Sequence, residues 1–223
     1  QSFRLVSEDE IFNLAAPTLF PKDEEDLYWL LGLTNTPIVE YVVKLLNPTL
    51  NMNVGDIQNI PIVSIDRAVV SANVKRLLSI FKSDWDTFET SLDFFMSPIG
   101  RSNTQGLIEK TIIQYVNEWN KVSEEARSLE EGNNLIFSRA YNTEKEVSSE
   151  VEIADISLVN NGCFRFSADK SEEELRSLQV QSILFDFLSY SVGCMFGRYS
   201  LDKEGLVLAS QGDTLKDYLK QVP

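Results

Sequence analysis

Residues 107–131 read LIEKTIIQYVNEWNKVSEEARSLEE, and this stretch decides the fold class. Ile108, Ile112, Tyr115, Trp119, Val122 and Ala126 recur at steps of three and four, with charged residues between them. That spacing predicts an amphipathic helix of about seven turns carrying a near-heptad apolar seam. A seam of this kind is a core or interdomain stripe, and the alternative is a surface for a partner. The preceding helical segment is the neighbour it is expected to meet, antiparallel, as a helical hairpin.

Working outward, the same periodicity recurs on both sides. Upstream, DWDTFETSLDFF (84–95) sets Trp85, Phe88, Leu92 and Phe95 at helical steps. Before it, Asp66 is placed to cap a helix running to about Asp84, with Val69, Val70, Val74, Leu77, Leu78 and Phe81 on one face. Thr34-Asn35-Thr36-Pro37 separates two further helices. The first opens on the acidic KDEEDLYWLLGL, which suits a helix N-terminus, and the second is TPIVEYVVKLLN with Pro37 just inside its start. Downstream, NNLIFSRAY (133–141) reads as a separate short helix and TEKEVSSEVEIADISL (143–158) as a loop or edge strand. Ser171 and Glu174 form a capping-box pattern opening a helix expected to be the most buried of all, and TLKDYLK closes the chain as a short helix. Residues 1–22 hold strand-like and turn material, SFRLVS and NLAAPTLFPK, with Pro17 and Pro21 limiting helix.

With 223 residues and 43% hydrophobic composition the chain can bury one sizeable core or two small ones. Gln1 in place of Met, and the tail-like first twenty residues, point to a piece of a longer chain. The apolar run Phe187 to Gly197 is far short of the roughly 20 residues that span a bilayer, so no membrane partner is expected and a cytoplasmic setting is. Cys163 and Cys194 are too few for a disulfide framework. The absence of histidine removes Ser/His/Asp and Cys/His catalysis and most zinc sites. No phosphate loop, nuclease-like acidic-x-Lys or Asn/Asp-Pro-Pro-aromatic methylation loop is present, so no catalytic residue and no metal site is assigned.

The formal charge of −14 disfavours a general polyanion binder. It is unevenly spread: residues 41–83 carry +3, from Lys44, Arg67, Lys75, Arg76 and Lys82 against Asp56 and Asp66, and the remainder carries −17. Either these cations contact phosphates or they lie on a solvated helix face. The same stretch holds NPTLNMNVGDIQNIPIV (47–63), whose Asn51, Asn53, Gln58 and Asn59 either pair with DNA bases and phosphates or cap helices and turns. Gly55-Asp56 reads as backbone geometry and capping. Phe196-Gly197-Arg198-Tyr199 either closes a helix or touches nucleic acid or another domain.

Residues 27–63, LYWLLGLTNTPIVEYVVKLLNPTLNMNVGDIQNIPIV, resemble the end of the target-recognition domain of type I restriction specificity subunits and fused methyltransferase-specificity proteins. The match rests on Leu30 to Leu33, Asn35, Asn47 to Thr49, Asn51, Asn53 and Val54 to Ile62. SDWDTFETSLDF, EEGNNLIFSRAYNTEKEVSSEV and SYSVGCMFGRYSLDKEGL are similar to the C-terminal region of PglX-type proteins, the adenine-specific DNA methyltransferases of BREX phage-defence systems and their type II relatives. The resemblance implies a mainly α fold with a small α/β remnant at the N-terminus. Residues 1–65 would end a recognition-like domain and residues 66–223 would form a helical scaffold contacting DNA backbone or a partner. It also implies double-stranded DNA as the parent's partner, other defence subunits as further partners, and S-adenosylmethionine held in an upstream domain. Lacking both methyltransferase motifs, this chain would not catalyse by itself. An acidic helical module docking other subunits is the alternative.

Overall fold

A computed structural model describes residues 3–6, 18–47, 54–101 and 107–222. The chain divides into two compact units. Unit 1 comprises Gln1–Leu78 with Ala126–Val151, and unit 2 comprises Ser79–Glu125 with Glu152–Pro223. Among the described residues every regular element is a helix.

In unit 1, α1 (Asp26–Thr34) and α2 (Pro37–Leu46) follow the expected break. Thr36 accepts a hydrogen bond from the Val39 N–H at 3.4 Å and donates its hydroxyl to the Leu33 carbonyl at 2.7 Å, with Pro37 at the first helical position. The stretch after the undescribed residues 48–53 forms a single helical turn, α3 (Val54–Gln58), where a turn was expected. Next comes α4 (Arg67–Trp85), opened by the Asp66 carboxylate accepting from the Ala68 N–H at 3.1 Å. Trp29, Leu33, Ile38, Val39, Val43, Val70, Val74 and Phe137 bury into one apolar core. Gly32 makes the close approach possible: a Cβ there would stand 2.7 Å from Val70 and 3.0 Å from Val74.

The residues 107–131 that decide the fold class lie in α6 (Ile108–Tyr141), a 34-residue helix that continues from unit 2 into unit 1. The separate helix expected at 133–141 is part of it, because Gly132 needs no special conformation and the chain runs on helically. In unit 1 its partner is α4. Asn73 donates to Asn133 at 2.9 Å, Val70 and Phe137 share the core, and the Tyr141 hydroxyl donates to the Pro61 carbonyl.

The expected α/β remnant is not present among the described residues. Phe3 has no partner strand. Both of its backbone groups bond to one side chain, Asn35, which accepts from the Phe3 N–H at 2.9 Å and donates to its carbonyl at 3.1 Å. Extended backbone satisfied by an amide side chain needs no sheet. The loop-or-strand segment 143–158 is loop, with one 3-10 turn at Ile153–Asp155.

In unit 2 the helix expected over 84–95 gives way to turns after Trp85, where α4 ends. The local reason is competition from short polar side chains. Thr87 donates to the Asp84 carbonyl at 2.7 Å, Ser91 donates to the Asp86 carboxylate at 2.7 Å, and the Asp93 N–H donates to Ser91 at 3.1 Å. Leu92 is fully exposed and Phe94 buried, so the expected face of Trp85, Phe88, Leu92 and Phe95 does not form. Asp84 itself is buried, and its carboxylate accepts from the N–H groups of Val159 (2.7 Å) and Asn160 (2.9 Å) and from the Asn160 amide (2.9 Å). Burial pushes this carboxyl up, and those bonds together with Arg165 pull it partly back.

The other unit 2 helices are α5 (Pro98–Arg101), α7 (Gly162–Phe166), α8 (Glu172–Met195) and α9 (Leu215–Gln221). Ile99, Ile112 and Val116 pack with Val180, Ile183 and Phe187, and Phe94, Tyr190 and Tyr199 form an aromatic cluster. The Ser171–Glu174 capping box forms as the pattern predicts. Gly197, at φ +78°, ends α8. The Gly197 N–H donates to Cys194 (3.1 Å) and the Arg198 N–H to Gly193 (2.8 Å), a Schellman closure that seats Tyr199 in the core. Helix α8 is not the most buried. Only Leu175, Gln179 and Tyr190 are fully buried, and Leu184, Phe185, Leu188, Val192 and Met195 are exposed, Phe185 by 70% and Met195 by 82%. Its apolar residues encircle it, so periodicity does not say which side meets a neighbour.

Candidate nucleic-acid interface

In unit 1, α4 presents its first basic residues beside the start of α1. Arg67 donates to the Asp26 carboxylate at 2.7 Å, and its guanidinium lies 4.4 Å from the centre of the Trp29 ring. Trp29 donates its indole N–H to the same Asp26 oxygen at 2.6 Å, so one carboxylate sets the ring and the cation together. About two turns further along α4, the Lys75 ammonium lies 4.6 Å from the ring centre of Tyr28, the neighbour of Trp29. Arg67, Lys75 and Arg76 are exposed. The cations of Arg67 and Lys75 sit on aromatic faces, a contact that leaves their charge in place.

The other expected residues are distributed as follows. Lys44 pairs with Glu40 one turn earlier on α2 at 2.6 Å and holds that carboxyl below its ordinary range. Gln58 ends α3 and is exposed. Asn59 donates its amide to the Gly55 carbonyl at 2.8 Å, satisfying the end of that helical turn. Asn47 donates to Asp56 at 2.8 Å, which ties the end of α2 to α3. Asn51 and Asn53 lie outside the described residues. Lys82 belongs to unit 2, where it bonds Asp93 and pairs with Asp86 at 3.0 Å, and those two carboxylates raise the ammonium above its ordinary value.

The structure therefore brings Arg67 and Lys75 together with Tyr28 and Trp29. Sequence reasoning treated this part of α1 as apolar spacing alone and missed the aromatic pair. Its visible signal was two adjacent large aromatics separated by one residue from an acidic run. Exposed ion pairs such as Lys44–Glu40 contribute little and exchange readily, so they do not bar a phosphate from competing for the cation. Among the described residues no group of acidic or thiol side chains is arranged to hold a metal ion, and no helix is long and apolar enough to cross a membrane.

No protein-family model matches the chain. It is 28% identical over 214 residues to the adenine-specific methyltransferase BrxX of Escherichia coli O9:H4 (strain HS), covering 95% of this chain and 17% of that protein. It is 25% identical over 217 residues to the adenine-specific methyltransferase PglX of Lacticaseibacillus casei (strain Zhang), covering 96% of this chain and again 17% of the relative. The chain thus spans about a sixth of the length of these curated relatives. Over nearly its whole length it is a distant homologue of one portion of the adenine-specific methyltransferases BrxX and PglX.

Proposed function

We propose that this chain is a DNA-contacting and scaffolding portion of an adenine-specific DNA methyltransferase of a phage-defence or restriction-modification system, and that it does not catalyse by itself. The observation that carries the reading is homology to BrxX and PglX along 95% and 96% of the chain. On this reading residues 1–65 end a recognition-like domain and the following helical region supports it. Arg67, Lys75 and Arg76 on α4 touch phosphates, with Lys44 and Lys82 as further phosphate contacts. Asn51, Asn53, Gln58 and Asn59 lie near the DNA. Such contacts position a duplex without reading its sequence. S-adenosylmethionine binding and base flipping fall to other parts of the longer protein, because the sequence here offers neither a glycine-rich turn nor an Asn/Asp-Pro-Pro-aromatic loop.

The test is a salt-dependent titration of duplex DNA against the chain and its Lys75→Glu/Arg76→Glu variant. Losing two phosphate contacts lowers the slope of log affinity against log salt by about 2 and weakens binding equally for unrelated sequences. Unchanged affinity and slope in the variant would remove α4 from the interface.

A second reading, an acidic module that docks other subunits of the defence system, is favoured by the exposed apolar stripe Phe185, Leu188, Val192 and Met195 on α8. It predicts that Phe185→Ser/Leu188→Ser abolishes capture of a purified partner subunit while leaving DNA titrations untouched. Capture by the variant at the original level would count against it.

A further inference from the structure

Unit 2 contains a cleft of about 370 Å³, within the range of small-ligand sites. Its floor is built by groups remote in sequence. The buried Asp84 carboxylate fixes the backbone of Val159 and Asn160, and the Asn160 amide donates to both Asp84 (2.9 Å) and Thr87 (3.1 Å). The Asn160 carbonyl accepts from Gln179 at 3.1 Å. Tyr115, whose hydroxyl burial pushes up to about 12, stays neutral here and completes the floor. The site is therefore pre-organised, and its polar groups are largely satisfied before anything binds.

The walls and rim define the ligand. Trp85 is half exposed and offers an aromatic face, and Phe88 forms a second aromatic wall. Glu89 and Asp186 also line the cleft, and the one cation among its described lining residues is Arg165. The Arg165 guanidinium lies 5.5 Å from the Phe88 ring centre, so a planar cation of the chain itself already stacks on this wall and Trp85 is the aromatic face left to a ligand. Glu89 accepts from the Tyr199 hydroxyl at 3.1 Å, which orients it. Two carboxylates, Glu89 and Asp186, against one guanidinium, Arg165, leave the lining of the cleft negative by one charge. Burial holds the Asp186 carboxyl up, and Glu89 adds to that while Arg165 opposes it. A phosphate or carboxylate ligand would meet repulsion here, and a neutral one would leave the rim charge uncompensated.

We propose that this cleft binds a guanidinium group, stacked against Trp85 and paired with Asp186 and Glu89. Planarity lets a guanidinium stack on an indole and donate in parallel to a carboxylate, which an ammonium does less well. The same group can be carried by an arginine of a partner polypeptide or by a free alkylguanidinium. The proposal is independent of DNA contact at α4, and the two can fail separately.

The experiment follows the Trp85 indole resonance of the intact 223-residue chain, assigned with Trp85→Phe, during titration with four probes. These are ethylguanidinium, butylammonium, an acetyl-Gly-Arg-Gly-amide peptide and its neutral citrulline counterpart. Saturable shifts at Trp85 are expected with the arginine peptide at a Kd on the order of 1 mM, with weaker binding of butylammonium and none of the citrulline peptide. Asp186→Asn is expected to weaken the peptide by about fivefold and Glu89→Gln by about threefold, as lost charge-assisted bonds. Both side chains sit at the rim, and circular dichroism checks that the variants fold. Peptide binding tenfold tighter than ethylguanidinium assigns the source to a polypeptide, and equal binding assigns it to a free small cation. The proposal is overturned by equal binding of citrulline and arginine peptides, by undiminished binding in Asp186→Asn/Glu89→Gln, or by no saturable shift at Trp85.

Discussion

Unit 1 and unit 2 both have apolar clusters, and they differ in what else anchors them. Unit 1 closes on carbon: Trp29, Leu33, Val39, Val43, Val70, Val74 and Phe137 pack around the bare backbone of Gly32. Unit 2 holds its 84–96 turns and the 158–161 segment through a buried carboxylate, Asp84, with three donors on it. The contrast teaches where sequence patterns stop being informative. An apolar stripe advertises itself by spacing, whereas a buried Asp that anchors a distant loop has the same local signature as a helix-end residue on the surface.

Substitutions at the two centres test that contrast, and the largest effect is expected at the carboxylate. Asp84→Ala strands two buried backbone N–H groups and the Asn160 amide, and should cost about 4 kcal/mol in denaturant unfolding. A loss under about 1 kcal/mol would mean that the 158–161 segment is held by its apolar neighbours Ile156 and Leu158 instead. Next in size, Gly32→Ala forces a methyl group to within 2.7 Å of Val70 and 3.0 Å of Val74. Overpacking of this kind should cost about 2 kcal/mol. If the alanine variant is as stable as the parent chain, α1 and α4 are free to part and the carbon-closed description of unit 1 fails.

The smallest effect belongs to the one-turn periphery of unit 2. Asp217 is pulled down to about 2, first by the Lys220 ammonium and then by the hydroxyl and N–H of Thr214. A depressed carboxylate contributes its stabilisation above its ordinary value near 3.8 and loses it as pH falls through about 2. Thr214→Ala should therefore move the Asp217 carboxyl back toward its ordinary value in an NMR titration, with little change in global unfolding. A titration curve unmoved by the substitution would leave Lys220 as the sole cause.

Much of the helical framework was legible. The Thr36-Pro37 start, the Asp66 cap, the Ser171–Glu174 box and the helix that carries the seam all rest on contacts within three or four residues, which spacing reports directly, although Ile108 at its start is exposed while Ile112, Trp119 and Ala126 are buried. The candidate interface was legible in part. The basic character of α4 could be counted, and its pairing with Tyr28 and Trp29 could not, because it joins two helices about 40 residues apart. The helical reading of 84–95 failed because Thr87 and Ser91 offer the backbone local alternatives that periodicity does not weigh. Among the described residues the expected strand is absent, and a single Asn35 satisfies both backbone groups of Phe3; residues 1–2 and 7–17 of that segment lie outside the described residues.

By itself, then, the sequence determined a helical chain without histidine, acidic apart from one basic stretch, and akin to a portion of adenine-specific methyltransferases. Only the tertiary structure decided which faces of those helices are buried. It left the Phe185–Met195 stripe of α8 in solvent and turned Asp84 into the anchor of a cleft. The physical reason is one of range. Helix propensity and capping act over a few residues, whereas burial and the pairing of a carboxylate depend on neighbours brought together from 75 or more residues away.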